Sequence, residues 1–537
     1  MADKMQSSVT SISLQGWEFV DEDDGIPFRA RSGYAHRTWA RTYTSLPELF
    51  IQPESLEEVE KAVNLARKCR RRITTTGCGH SPSDITCTSS WLVNLDNFNK
   101  VLSLDKDTGV CVVQAGIRLF QLSDALDAAG LALPSLGSIN EQSLAGAIST
   151  GTHGSSLHHG LISEIILALK ITLADGTTAS CSPTRNPDLF RAALLSLGAL
   201  GILVEITLRA VPSFSLAWSQ TIDADAHILS TWSTTLWTTS PFTRVWWFPY
   251  MRRAVVWRAT PVPPADLLSG AVTHRAPPTN YYESHLGYLI YHNLLLLAQY
   301  LPRLTPYIER FVFGMTYGFR NGSTTSAVQP SRDAFLMNCL YSQHVNEWAI
   351  PLAAGPEALS RLGAWLAGRP EAEHRIPFDA TGLWVHSPVE VRVAGANPSP
   401  GERPFLDPSQ ADGPSLYLNA LMYRPYLRDP PRRMTERFYE GFEYLMRELG
   451  GKPHWAKTFA ATRGDLEAWY GEDFGRFEGV RREVDPEGMF VGPWQRRYLL
   501  GEGEAVLPLE ERGFETSRAR DGGWEVMGRM AGGEEED

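Results

Sequence analysis

The chain has 537 residues, a formal net charge of −11, and an ordinary globular balance of 43% apolar and 21% charged residues. That length exceeds what one hydrophobic core supports and implies about two to four domains. The acidic balance argues against a nucleic-acid partner, because counterion release needs lysine and arginine surfaces.

Sixteen tryptophans and eighteen tyrosines favour a pocket for a planar or sugar-like ligand. The six cysteines (69, 78, 87, 111, 181 and 339) contain no Cys-x-x-Cys and form no disulfide framework, which fits a reducing compartment. Residues 1–16 are polar and lack the apolar stretch of a secretory signal, so an intracellular location is expected.

Residues 1–45 read as a loosely organised lead-in with one dense motif, Trp39-Ala-Arg41. Pro53 then opens a helix. Ser55 with Glu58 makes a capping box, and Leu56, Val59, Val63 and Ala66 place an apolar stripe at helical spacing. The β-favouring run 72–76 leads into Gly77-Cys78-Gly79-His80-Ser81-Pro82, followed by a strand over 91–95. This is a β–α–β order, with right-handed crossovers and partly parallel pairing. Gly77 and Gly79 let the backbone turn N–H groups toward an anion, and His80 leaves the loop as a nucleophile that titrates near neutrality.

Strands over 101–104 and 110–114 and a helix over 119–129 precede a second glycine-rich stretch, 137–154. That stretch holds too many small residues for a packed helix and lets the backbone approach something bulky and flat. A hairpin turns at Ala174-Asp175-Gly176. A helix over 187–197, Gly198-Ala-Leu-Gly201-Ile202 and a strand to 211 close this unit, with a boundary near Pro212.

The following region is mixed, and the basic, proline-rich patch 252–278 reads as loop. Residues 286–301 are apolar, but sixteen residues at about 1.5 Å each reach only about 24 Å, short of the roughly 30 Å hydrocarbon core. A buried helix and a helix dipping into one leaflet both remain open. Val389-Glu390-Val391-Arg392-Val393 alternates, so Glu390 and Arg392 share one face of a strand and the valines the other; an exposed strand with a surface ion pair is the plain expectation. The end of the chain, 501–537, is rich in glycine and glutamate and reads as a disordered acidic tail.

Other chemistries fit poorly. Ala147-Ile-Ser149-Thr-Gly151 lacks the strand–turn–helix of a nucleophile elbow. His153, His158 and His159 have no carboxylate or cysteine at ligand spacing, so no metal is expected. The Gly77 loop stops short of a nicotinamide fingerprint.

Taken together, the helix from Ser55, the Gly77–Ser83 loop, the 137–154 stretch and Gly198–Ile202 resemble the FAD domain of the vanillyl-alcohol oxidase (PCMH) type. Trp39-Ala-Arg41, Asn346-Glu-Trp348, Pro388-Val-Glu390-Val-Arg392 and His454-Trp455-Ala-Lys457 narrow the resemblance to the sugar-1,4-lactone oxidases, most closely the fungal D-arabinono-1,4-lactone oxidases, relatives of L-gulonolactone oxidase. The resemblance implies an α+β fold: a two-subdomain FAD-binding domain over 46–213, an α+β substrate cap over 214–450, and a return segment over 451–500 that contributes to the active site.

It also implies FAD bonded covalently through its 8α-methyl to His80, with attachment through histidine alone. The cofactor would touch Gly77, Cys78, Gly79, His80, Ser81, Pro82, Gly137, Ser138, Ser143, Gly146, Thr150, Thr152, His153, Gly201 and Ile202. Glu390 is expected to orient the lactone C2 hydroxyl and accept its proton while hydride leaves C2 for flavin N5. Arg392 and Lys457 would stabilise the charge left on the flavin, and His454 stands in the same motif. The expected reaction converts an aldono-1,4-lactone to an ascorbate-type ene-diol and dioxygen to hydrogen peroxide. An alditol or sugar oxidase, and a flavin-binding scaffold without turnover, are the alternatives. Kinship further implies association with a mitochondrial or microsomal membrane.

Overall fold

The computed structural model describes residues 24–337, 341–395 and 402–500, together with the short strands at 13–14, 17–18, 514–518 and 524–528. The helix Leu56–Lys68 begins three residues after Pro53, because Ser55 is its cap and accepts from the Glu58 amide at 3.3 Å. The Glu58 carboxylate reaches back to the Glu54 amide (3.0 Å) rather than to Ser55. Of the stripe that the periodicity marked, Val59, Val63 and Ala66 are buried and Leu56 half-buried, and Ala62 joins them in the core.

Leu49–Ile51 and Ile73–Thr76 both pair in parallel with Trp91–Asn94, the parallel unit that the β–α–β order implied. A five-stranded antiparallel sheet follows, in the order 178–181, 166–172, 202–209, 110–114, 101–104. Together these sheets make the two halves of the N-terminal region.

An eight-stranded sheet begins at Ser215, in the order 324–330, 215–224, 253–262, 242–248, 389–394, 415–423, 343–351, 452–453. Its last strand, Lys452–Pro453, pairs with Gln343–Pro351 and so ties the C-terminal segment to the sheet. Three helices then run back to the N-terminal region. The Arg72 guanidinium donates to Gly488 O at 2.5 Å, and Arg497 pairs with Asp84 at 2.7 Å.

Several expectations are corrected. The 137–154 stretch does contain a helix, Leu144–Ser149, because Ser143 caps it (3.3 Å to the Gly146 amide) and Leu144, Ala147 and Ile148 bury one side. Small residues permit this close packing instead of preventing it. The patch read as loop supplies the strand Arg253–Val262 and the helix Pro264–Leu268: Ala254, Val255, Val256 and Trp257 are buried, and the prolines fall at the strand's end and beyond it. Val389–Ala394 is an interior strand between 242–248 and 415–423, so its charged face looks into a cavity and not into solvent. In the expected tail, 514–518 and 524–528 pair as strands, and the second runs parallel to Tyr43–Ser45. The rest of that segment, most of residues 1–23 and Cys339 lie outside the described residues.

The apolar segment 286–301 forms the helix His285–Tyr300, with Tyr291, His292, Leu295 and Ala298 buried. Leu286, Leu297, Tyr300 and Leu301 are exposed at 56, 41, 66 and 43%. Among the described residues no helix is long and apolar enough to cross a membrane.

Candidate functional site

The loop after Ile73–Thr76 is held by Asn94, whose Nδ2 donates to Gly77 O at 3.0 Å. Gly79 has φ of +67°, and a Cβ on Gly77 would lie 2.2 Å from Ser143 Oγ, so the two glycine-rich stretches pack directly against each other. Gly201 has φ of +148°, and a Cβ there would meet Thr172 O at 2.4 Å. Around these backbones lies a cavity lined by Gly77, Cys78, Gly79, His80, Ser81, Ser143, Gly146, Thr150, Gly201 and Ile202. Gln495 closes it from the C-terminal helices, its Nε2 donating to Leu197 O at 2.8 Å. Thr74 Oγ1, Gln142 Oε1 and Gln495 Oε1 line the same cavity and are buried without a hydrogen-bond partner. A narrow glycine cradle with orphaned polar atoms suits a dinucleotide chain, and FAD fits these residues.

His80, Ser81 and Gln142 also line a second cavity of about 750 Å³. Pro82, Gly137, Ser138, Thr152, His153, Glu390, Arg392, His454 and Lys457 all face it. Its floor is one side of the eight-stranded sheet. Glu390 lies opposite Trp246 on one side and Asn419 on the other, and strand alternation puts all three on the cavity face. Val389, Val391 and Val393 fill the opposite face, each at most 1% exposed.

Glu347 organises the charges. It is fully buried on Gln343–Pro351 and accepts from the Arg392 guanidinium and from Asn419 Nδ2 at 3.2 Å. Lys457 Nζ lies 3.4 Å from Oε2, the oxygen that also accepts from Asn419. Burial acts to raise the Glu347 carboxyl, but Arg392 and Lys457 outweigh it and hold the group well below the usual range. Burial tends to deprotonate Arg392, and Glu347 and Glu390 more than compensate, so its guanidinium is held firmly charged. Arg392 Nε lies 3.5 Å from Glu390 Oε2, and Glu390 Oε1 has no partner.

The His454–Lys457 turn is fixed by backbone bonds: His454 N donates to Glu347 O at 2.9 Å, and Lys457 N to His454 O at 3.0 Å. Trp455 anchors the turn through Nε1 to Leu406 O at 2.7 Å.

Burial lowers the pKa of each site histidine. His80, stacked on Trp39 with ring centroids 5.2 Å apart, is brought down to about 4 and is neutral at pH 7. His153 donates from Nδ1 to Gly154 O at 2.8 Å and stacks on Tyr417, leaving Nε2 toward Glu347 at 3.4 Å. Burial, opposed mainly by Glu347, holds His454 well below its ordinary value.

All nineteen residues expected from the sequence to meet cofactor or substrate line these two cavities. Sequence reasoning gave no role to Glu347, Asn419, Arg244 or Gln495, which line or support the same site. Asn346-Glu-Trp348 was visible as a motif, and a lone arginine in Phe242-Thr-Arg-Val-Trp-Trp-Phe248 was the available signal for Arg244. Ligand atoms of His153, Glu347 and His454 lie within 4.8 Å of one another, but not with His158 or His159. Arg392 and Lys457 already balance Glu347, which opposes a further cation there.

The fold and its paired cavities define a flavoprotein with an FAD-binding domain. Residues 47–182 match the FAD binding domain family. The overall structure resembles that of cholesterol oxidase from Brevibacterium sterolicum, with a TM-score of 0.73 at 16% identity over 89% of this chain and 99% of the other. Within that class the chain belongs to the D-arabinono-1,4-lactone oxidase family, whose pattern matches residues 206–498. A Neurospora crassa relative, named provisionally as such an oxidase, is 64% identical over 548 residues, covering 98% of this chain and 99% of its own. The D-arabinono-1,4-lactone oxidase of Yarrowia lipolytica is 39% identical over 526 residues, covering 86% and 96%.

Proposed function

We propose that this oxidase converts an aldono-1,4-lactone, D-arabinono-1,4-lactone foremost, to the ascorbate-type ene-diol, with FAD tethered through His80. The supporting observation is that Glu390, with one free oxygen, stands beside the cations Arg392 and Lys457 in a cavity that His80 also lines. FAD, when bound, supplies the two-electron acceptor that takes hydride from the substrate and passes the electrons to dioxygen, giving hydrogen peroxide.

Glu390 would orient the C2 hydroxyl and receive its proton at the unpartnered oxygen. Arg392 and Lys457, fixed by Glu347 before substrate arrives, would provide positive charge where negative charge develops, and losing one such group costs about 3 kcal/mol of barrier. His454 shapes the turn that carries Lys457. His80, kept neutral by burial, presents the nucleophilic imidazole that a bond to the 8α-methyl carbon requires.

Gly77–Gly79, Ser81, Gly201 and Ile202 would receive the pyrophosphate end of the cofactor, Ser143, Gly146 and Thr150 its ribityl chain, and His80 the edge of its ring. Pro82, Gly137, Ser138, Thr152 and His153 would receive the ring end.

The same reading extends to location. The exposed Leu286, Leu297, Tyr300 and Leu301, with Tyr307 and Phe311 on the next helix, support peripheral attachment to one leaflet, of a mitochondrial membrane by family kinship.

Anaerobic mixing tests the reaction. D-arabinono-1,4-lactone should bleach the yellow protein faster than D-arabinitol does. Faster bleaching by the alditol would turn the assignment to an alditol oxidase, and bleaching by neither would leave a flavin-binding scaffold.

A further inference from the structure

Arg244 stands apart from the other buried cations. Eight arginines among the described residues are buried. Seven have partners inside the protein: Arg71 holds Glu48, Arg191 Asp473, Arg361 Glu448, Arg392 Glu347, Arg424 Asp429 and Arg481 Glu478, while Arg72 donates to the carbonyls of Gly488 and Val491. Arg244 is 2% exposed, its Nε has no hydrogen-bond partner, and among the described residues no carboxylate forms an ion pair with it. Its recorded contact is the face of Trp257, 5.2 Å from guanidinium carbon to ring centroid.

An unpaired buried guanidinium is costly unless a ligand completes it. Arg244 lines the large cavity together with Glu390 and Arg392. Its strand, Phe242–Phe248, pairs with Val389–Ala394 so that Trp246 lies opposite Glu390, and alternation carries Arg244 onto the same cavity face two residues along. Burial brings its guanidinium down to about 10, against the attraction of Glu390, so it remains a cation at neutral pH.

The chemistry of the proposed reaction supplies an oxygen for it, and the inference rests on that reading. In an aldono-1,4-lactone the oxidised C2 adjoins the C1 carbonyl. Loss of hydride from C2 and of the proton from its hydroxyl gives a 2-keto lactone, the two electrons going to FAD. Transfer of the C3 proton to the C2 oxygen then gives the ene-diol with no further redox change. That ene-diol is a vinylogous carboxylic acid and sheds a proton to become an anion near neutrality. An open-chain alditol has no carbonyl and forms no such anion.

We propose that Arg244 is the carbonyl receptor of the substrate site: its planar fork binds the C1 carbonyl oxygen of the lactone and retains the ene-diolate made from it. Arg392 and Lys457 are already engaged by Glu347, which leaves Arg244 as the buried cation free to select for a lactone over a polyol.

The test uses FAD-loaded enzyme, with D-arabinonate, the hydrolysis product of the lactone, titrated against the flavin absorption spectrum. Arg244→Leu should weaken arabinonate binding and raise KM for the lactone by about ten- to a hundredfold, the range for a hydrogen bond to a charged group. Arg244→Lys, which keeps charge without the fork, should recover part of both. D-arabinitol oxidation, if measurable, should keep its KM in both variants.

Unchanged arabinonate binding in Arg244→Leu overturns the proposal, as does a fall in kcat alone with KM and binding preserved. If Arg244→Leu does not load FAD, Arg244→Lys decides, because wild-type arabinonate and lactone affinities in that variant would equally reject a fork-specific receptor. The two readings fail separately. Wild-type enzyme that binds arabinonate through Arg244 but oxidises no lactone removes the reaction and leaves the receptor, whereas normal lactone turnover with an indifferent Arg244 removes the receptor alone.

Discussion

The ammonium of Lys457 lies 3.4 Å from the carboxylate of Glu347, a group with no solvent exposure whose other oxygen accepts from Arg392. One buried carboxylate therefore fixes two cations that the chain delivers from separate segments. Glu347→Gln should leave Arg392 and Lys457 unbalanced, and removing one partner of such a cluster costs about 3–5 kcal/mol. A lower melting temperature with slower anaerobic flavin reduction is expected. Wild-type values for both would show that the cations are held by something else.

His80 bears on cofactor retention. His80→Ala should still bind FAD in the glycine cradle, because Gly77, Ser143 and Gly201 are untouched. Its yellow colour should pass into the supernatant after acid precipitation, whereas the unaltered protein keeps its colour in the pellet. Colour released from both proteins would remove the covalent bond.

Glu309 carries a pH dependence of stability. It is 2% exposed in the wall of the large cavity, and one of its oxygens accepts from Tyr291 OH at 3.0 Å and from Ser387 N at 3.3 Å. Burial pushes its carboxyl up to about 8, from the 4.5 of a solvated glutamate. Between those pH values the folded chain keeps a proton that the unfolded chain has released. The Glu309 contribution is therefore fully present below about pH 4.5 and is lost as pH rises through about 8, up to about 5 kcal/mol in all. Glu309→Gln keeps an acceptor and cannot ionise, so its advantage over the parent in urea melts should grow from pH 5 to pH 9. A constant difference across that range would mean Glu309 is not held protonated.

The exposed apolar ridge predicts membrane partition. Leu297→Glu with Tyr300→Ser removes two exposed apolar side chains, each worth about 1.5–3 kcal/mol when buried. Co-sedimentation with phosphatidylcholine vesicles should fall at least about tenfold, with lactone turnover in detergent unchanged. Equal sedimentation of both proteins would place attachment elsewhere.

Much of the architecture was legible locally. The period of Leu56–Ala66, the turn at Gly79 and the alternation of 389–393 are each set by a few neighbouring residues, and each describes the folded element correctly. The errors arose where neighbours mislead. The prolines of 252–278 suggested a loop, yet Arg253–Val262 is stabilised by the two strands it lies between, and the small residues of 137–154 concealed a capped helix.

The sequence by itself determined which groups are present: a glycine-bounded histidine, and a carboxylate and a guanidinium sharing one strand face. The tertiary structure decided what each group faces. Glu347 meets Lys457 through the pairing of 343–351 with 452–453, and Arg244 enters the cavity without a partner through the register of 242–248 against 389–394. Those encounters depend on the order and stagger of strands far apart in the chain, which side-chain period cannot encode because every register that preserves alternation satisfies it equally.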